Sequence, residues 1–241
     1  MSTLKAHNIE PATGTDVALG AAGDSITVSG DSLKLDAFKD AGGNTLFSSN
    51  GSGTVSNVNA GLKPGGPILI TTATASSSSY ISFTSGITST YDKYMFVFDS
   101  IVPSLNSTHL RMSGSTDGGS SYGLTKTSAA WYIIFSEANS GSISTTGAAD
   151  LSQDTAVQLL MYGIGSAAGE CAAGVFTLYS PSNTTYVTHY SSACTVHRED
   201  DSVQQINTAG YFNLTTAINA IKFTPDQGTI ASGTIKMYGI A

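Results

Sequence analysis

The densest group of ionisable side chains in the sequence is a run of five residues, from His197 to Asp201. It holds one imidazole, one guanidinium and three carboxylates, and hard divalent cations bind several oxygen ligands at once. Consecutive side chains point in different directions, however, and the D-x-D-x-D-G spacing of a calcium loop is missing. We therefore interpret the run as a solvated loop, and the sequence predicts no metal site and no cofactor.

The residues that could carry catalysis do not form a recognisable set. The four histidines are too scattered for a zinc site, and the G-x-S-x-G turn of a serine hydrolase is missing. Enzymes that degrade polysaccharide usually carry more carboxylates and aromatics than this chain offers. We predict no enzymatic activity, although a pair of carboxylates for glycoside cleavage stays formally open among Asp99, Asp117, Glu137, Glu170 and Glu199.

One motif predicts a specific turn. Ser115, Asp117, Gly119 and Tyr122 match the pattern S-x-D-x-G-x-[ST]-[WFY]. In such a turn the carboxylate accepts hydrogen bonds from turn amides, and the aromatic ring packs beneath it. The motif occurs once, so it does not indicate a propeller, and we interpret it as structural and not catalytic.

Aromatic side chains near loops offer a second kind of chemistry, because their faces stack on sugar rings. The candidates for glycan contact are Tyr122, Tyr132 and Tyr211. Trp131 is the single tryptophan of the chain and begins the continuous apolar run Trp131–Phe135. We expect its ring to fill the core or a subunit interface.

Composition excludes several classes of protein. Charged residues make up 11% of the chain and the net charge is −7, with only ten basic residues to neutralise phosphates, so we predict no nucleic-acid binding. No apolar run is long enough for a membrane helix, and residues 1–25 lack the pattern of a signal peptide. Cys171 and Cys194 leave a disulfide open, but two cysteines in a domain of this size are more often small core residues.

Short alternating segments from residue 68 onward predict about ten strands and an all-β fold, an antiparallel β-sandwich or jelly roll. The continuous apolar runs Tyr94–Phe98 and Trp131–Phe135 predict strands buried on both faces. Single helical turns are expected at most at 150–154 and 215–219. The predicted strands are Ile68–Ala73, Tyr80–Phe83, Tyr94–Phe98, His109–Met112, Trp131–Phe135, Val157–Tyr162, Gly174–Tyr179, Tyr186–Tyr190, Ala220–Phe223 and Thr234–Tyr238.

The first 65 residues have a different character. Glycine-rich turns separate short alternating pieces such as Ser25–Val28 and Ser32–Leu35, each too short to bury a core alone. We expect an extended arm (1–65) that intertwines with copies of itself or attaches to a larger partner; a disordered linker is the alternative. Two prolines and three glycines in residues 61–67 mark the boundary with the sandwich domain (66–241).

Four segments together resemble structural proteins of marine bacteriophages, especially phages of cyanobacteria, many of which close with an SGTIKLYGI-like strand. These segments are Ser232–Ile240, Ser115–Tyr122, Ala209–Asn213 and the start Met1–Lys5. The resemblance covers most of residues 68–241 and, more loosely, the first 65.

The resemblance implies a virion structural protein of tail-fibre type, assembled in the host cytoplasm and forming a homotrimer. Residues 1–65 would contact other virion proteins, and the sandwich would adhere to a glycan of the host surface without membrane insertion. The alternative is a capsid decoration or head-fibre protein. The sequence does not encode which of the two locations applies.

Overall fold

The structure is a computed structural model that describes residues 37–40, 42–49, 52, 55–56, 58, 66–145, 147 and 149–241. Contacts divide the chain into two units, Met1–Pro64 and Gly65–Ala241. The described part of the chain has strands and no helix, so it includes no helix that could span a membrane.

The described residues of the first unit form a three-stranded antiparallel sheet of β1 (Ala37–Lys39), β2 (Thr45–Ser49) and β3 (Val55–Ser56). Phe38 and Phe47 face each other across β1 and β2, and their rings stack at 5.4 Å. The Asp40 carboxylate closes the turn by accepting hydrogen bonds from the backbone N–H groups of Gly42 and Asn44. The predicted pieces 25–28 and 32–35 lie outside the described residues.

The second unit is an antiparallel β-sandwich, which confirms the predicted fold class. One sheet has nine strands in the order β10-β8-β14-β13-β12-β6-β16-β4, with β9 also pairing to β8, and the other has four in the order β11-β7-β15-β5. The strands are β4 (Ile68–Thr74), β5 (Ile81–Phe83), β6 (Lys93–Pro103), β7 (Thr108–Ser115), β8 (Lys126–Ser136), β9 (Ser140–Thr145), β10 (Leu151–Asp154), β11 (Gln158–Ile164), β12 (Ala172–Tyr179), β13 (His189–His197), β14 (Ser202–Phe212), β15 (Ala220–Pro225) and β16 (Ile230–Ile240).

The core between the two sheets is built around aromatic rings. Phe223 of β15 packs edge-on against Phe98 and Phe96 of β6, with centroid distances of 5.0 and 5.4 Å. Phe83 and Phe176 complete the cluster around Phe223. Such edge-to-face contacts add to the stabilisation that comes from burying the rings.

A bulge lets β6 change which side chains it buries. Tyr94, Phe96 and Phe98 face the core, but Asp99 and Ser100 are both exposed, and burial resumes at Ile101. The Ser100 backbone has a φ of +52°, and on the partner strand Gly233 has a φ of +119°. A Cβ at Gly233 would lie 2.5 Å from the Ser100 carbonyl oxygen, so the bulge requires glycine there.

Several local predictions were wrong. Residues 151–154 form strand β10, and residues 215–219 form no helix. The run Trp131–Phe135 is not buried on both faces, because Trp131, Ile133 and Phe135 alternate with core-facing neighbours and are about half exposed. The sandwich covers one face of β8, and within the described chain its other face meets solvent.

Lys126 is a buried cation at the start of β8. Its side chain is fully buried, and its Nζ donates a hydrogen bond to the Leu124 carbonyl oxygen at 2.6 Å. Burial lowers the pKa of Lys126 to about 8, an effect that the charge of Asp154 partly offsets.

This burial predicts how stability depends on pH. Between about pH 8 and 10.4 the unfolded lysine still holds its proton while the folded one has lost it, so stability rises with pH across this window. Relative to Lys126→Met, the wild type should gain about 2–3 kcal/mol in free energy of unfolding between pH 7 and 10. Urea unfolding at both pH values measures the gain. Lys93→Met, at an exposed lysine, is the control, and the wild type should show no such gain relative to it. If the wild type gains as much relative to Lys93→Met as relative to Lys126→Met, the prediction is contradicted.

Candidate functional site

The outer face of the nine-stranded sheet carries a row of five side chains from five neighbouring strands. The register aligns Val175, Ala193, Asn207, Trp131 and Thr145 across β12, β13, β14, β8 and β9. Neighbouring strands lie about 4.8 Å apart, so the row is about 19 Å wide. That width accommodates several linked sugar rings or a short peptide.

These side chains form a shallow groove, which we call the outer groove, with a volume of about 550 Å³. Small residues make up its floor: Val175, Thr177, Ser191, Ala193, Asn207 and Ala209. Trp131, with 46% of its surface exposed, and Thr145 line the side formed by β8 and β9. The contrast between a floor of small residues and a wall with an indole ring creates the concavity.

The chemistry of the outer groove is neutral and polar. None of the lining residues is charged, and hydroxyl groups come from Thr145, Thr177 and Ser191. The Nδ2 atom of Asn207 is shielded from solvent and has no hydrogen-bond partner among the described residues. Buried polar atoms normally have partners, so Asn207 holds an unpaired donor, which a rotation of its side chain would present to a ligand that carries oxygen acceptors.

The three predicted glycan contacts lie in three different environments. Tyr211 lies on the outer face with its ring 5.8 Å from that of His189, in a hollow that shares Ala129 and Ala209 with the outer groove. Tyr132 points to the opposite face and packs against the core. Tyr122 is half-buried, with the Lys222 ammonium 4.1 Å from its ring.

The predicted turn motif forms a compact hydrogen-bonded loop after β7. Asp117 accepts hydrogen bonds from the Ser115 hydroxyl at 2.6 Å and from the Ser121 backbone and hydroxyl. The Ser115 and Ser121 hydroxyls hold the pKa of the Asp117 carboxyl well below its usual range. Gly119 has a φ of +91°, and a Cβ there would lie 2.7 Å from the Tyr122 hydroxyl.

The ionisable run His197–Asp201 includes the turn that connects β13 to β14. Its side chains point to two different sides of this turn. His197 and Asp201 line a second hollow of about 560 Å³, the end depression, together with Phe135, Cys171 and Val203. The Arg198 guanidinium lies 5.3 Å from the Tyr162 ring and pairs with Asp200 at 3.3 Å.

The two cysteines are free thiols in different environments. Cys171 is half-buried at the end depression, whereas Cys194 is fully buried. Burial raises the pKa of the Cys194 thiol to about 12, so it stays protonated near neutral pH.

The carboxylates considered for glycoside cleavage lie in separate surroundings. Asp99 pairs with Lys236 at 3.9 Å, and Glu199 accepts a hydrogen bond from the Ser107 hydroxyl at 2.8 Å. The Asp117 carboxylate accepts hydrogen bonds within its own turn. Glu170 is buried beside Gly165, and Glu137 lines the end depression.

Comparison with known proteins gives no match: no family model, curated protein or solved structure is significantly similar to this chain. Sequence reasoning missed Trp131 as a groove residue because the apolar run around it does not indicate which face is exposed. It also missed Asn207, which lies in strand β14, a strand that was not predicted.

Proposed function

We propose that the protein is a bacteriophage virion component of tail-fibre type that binds neutral glycans of the host surface through the outer groove. The observation that carries this proposal is an uncharged groove that combines an exposed indole ring with hydroxyls and the unpaired Asn207 donor. A sugar ring presents one apolar face and a rim of hydroxyl groups, and the outer groove complements both.

The phage assignment rests on the resemblance of residues such as Ser232–Ile240 to phage structural proteins. In the sandwich this segment belongs to β16, which pairs with both β4 and β6. The resemblance also suggests a homotrimer, which would present three copies of the outer groove. Weak contacts at several grooves would then add up to firm attachment, because each bound groove raises the effective concentration of the next.

Because Trp131 is the single tryptophan, its fluorescence tests glycan binding directly. Titration of the full chain with neutral oligosaccharides prepared from host-surface polysaccharide should change Trp131 emission in a saturable manner. Binding only to charged polymers, or binding that leaves the emission unchanged, would contradict the proposed site.

A deletion tests the role of the first unit. Without residues 1–65 the protein should keep its β-rich circular dichroism spectrum but be absent from purified particles, because its attachment segment is gone. Immunoblotting of particles against the full-length control measures this. Incorporation at the normal level would contradict the proposed attachment.

Immunogold labelling of intact particles with antibody to residues 68–241 separates the two virion locations. Label on the tail or its fibres supports host adhesion. Label spread over the head would overturn the tail-fibre proposal in favour of capsid decoration.

A further inference from the structure

We propose that Glu170, His197 and Asp201 form a binding site for a divalent first-row transition-metal ion such as zinc. One ligand atom from each residue, two carboxylate oxygens and one imidazole nitrogen, lies within 4.8 Å of the other two. The site is at the end depression and does not depend on glycan binding in the outer groove.

The backbone holds two of these residues in a fixed relation. The loop from β11 to β12 is tied to β13 by two hydrogen bonds of 3.0 Å, from Gly165 N–H to the His197 carbonyl and from His197 N–H to the Cys171 carbonyl. Glu170 lies inside this loop. Its carboxylate is therefore placed beside His197 before any ion binds.

The third residue comes from the turn between β13 and β14. Arg198 N–H bonds to the Ser202 carbonyl at 2.9 Å, and Glu137 N–H bonds to the Asp201 carbonyl at 3.2 Å. These bonds fix the Asp201 backbone, while its exposed side chain stays free to adjust.

Glu170 is the observation that points to a cation. Glu170 is only 7% exposed, and among the described residues its carboxylate accepts a hydrogen bond at Oε2 from Ala167 N–H. The salt bridges of the described residues involve Arg111, Arg198 and Lys236, and each pairs with another carboxylate. A buried carboxylate without a compensating charge is costly, and a bound cation would supply that charge.

Gly165 leaves the space that this carboxylate needs. A Cβ at position 165 would collide with the Glu170 carboxylate group. The loop therefore accommodates a buried acid beside an imidazole, an arrangement that ordinary core packing does not require.

The donor set decides which ion fits. An imidazole nitrogen suits zinc and its neighbours, whereas calcium takes six to eight oxygen ligands. Zinc binds nitrogen and oxygen at about 2.0–2.2 Å in a tetrahedral arrangement, so two ligand atoms of one ion lie about 3.4 Å apart. The three ligand atoms lie within 4.8 Å of one another, so side-chain movements of about 1.5 Å or less bring them to that spacing, and the exposed Asp201 is free to make such a movement.

Calorimetric titration of EDTA-treated, dialysed full-length protein with zinc chloride tests the site. We expect one ion per chain and a rise in the thermal unfolding midpoint, because the ion binds the folded state only. Asp201→Asn and His197→Gln should each weaken binding by more than the about 10–100-fold typical of losing an outer-shell partner. Asparagine tolerates the φ of +53° at position 201, so Asp201→Asn should fold normally.

Matched controls keep the outcome unambiguous. His189→Gln removes the histidine at the other end of β13, Asp200→Asn removes the neighbouring carboxylate that pairs with Arg198, and Cys171→Ser removes the nearby thiol. All three should bind zinc as the wild type does. No binding to the wild type, unchanged binding in Asp201→Asn and His197→Gln, or loss of binding in a control would overturn the proposal. Calcium binding as tight as zinc would also overturn it.

Discussion

Replacing Phe223 by alanine should lower the free energy of unfolding of the sandwich by about 3–5 kcal/mol. Phe223 is fully buried, and its ring contacts four other phenylalanine rings contributed by both sheets. Truncation loses the transfer free energy of the ring and leaves a cavity between the sheets. Total stabilities are typically about 5–15 kcal/mol, so this one change removes a large share.

Urea unfolding followed by far-ultraviolet circular dichroism measures this effect. Phe135→Ala is the matched control, because Phe135 is 50% exposed on the outer face and its truncation should cost about 1 kcal/mol or less. Equal losses for the two variants would show that the aromatic cluster is not the centre of the core.

The second large effect concerns binding. Trp131→Ala should weaken the affinity for a neutral oligosaccharide by about 30-fold or more, equivalent to about 2 kcal/mol, since truncated tryptophans at the centre of contact surfaces commonly cost this much. The indole is the largest side chain of the outer groove and supplies its aromatic wall. Calorimetric titration with the oligosaccharide that changes Trp131 emission in the wild type measures the loss.

Tyr186→Ala is the control for this variant, because Tyr186 is 72% exposed but does not line the outer groove. It should bind as the wild type does. The half-exposed position of Trp131 also means that Trp131→Ala should fold normally. An affinity of Trp131→Ala within about twofold of the wild type, well below what a contact at the centre of an interface contributes, would locate the binding site elsewhere.

The fold class was predictable wherever period-two alternation is clean. In β12, Phe176 and Leu178 are buried while Thr177 faces outward, as the sequence pattern indicates. Strand β14 escaped prediction because polar side chains occupy its core positions. Gln204, Ile206 and Thr208 are all buried there, but only Ile206 is apolar, so the sequence shows no alternation of polar and apolar residues.

The candidate site was less predictable for two physical reasons. A groove across five strands depends on register, and register places Val175 in the same row as Trp131, three strands away, although 44 positions separate them in the sequence. Exposure in a run such as Trp131–Phe135 depends on which face the second sheet covers. The aromatic pattern alone therefore selected Tyr132, whose ring packs against the core, in place of its exposed neighbour Trp131.

The pairing of β16 with β4 and β6 has a consequence for how fast the sandwich forms. Thr234 pairs with Thr74 in one sheet, and Ile221 pairs with Phe83 in the other, so both sheets join segments from opposite ends of the unit. Closing such long loops costs chain entropy before the new contacts stabilise the structure, so folds of high contact order fold slowly. Until β16 inserts, β4 and β6 present unpaired edges that favour aggregation. We therefore expect refolding on the millisecond-to-second scale or slower, with a yield that falls as protein concentration rises.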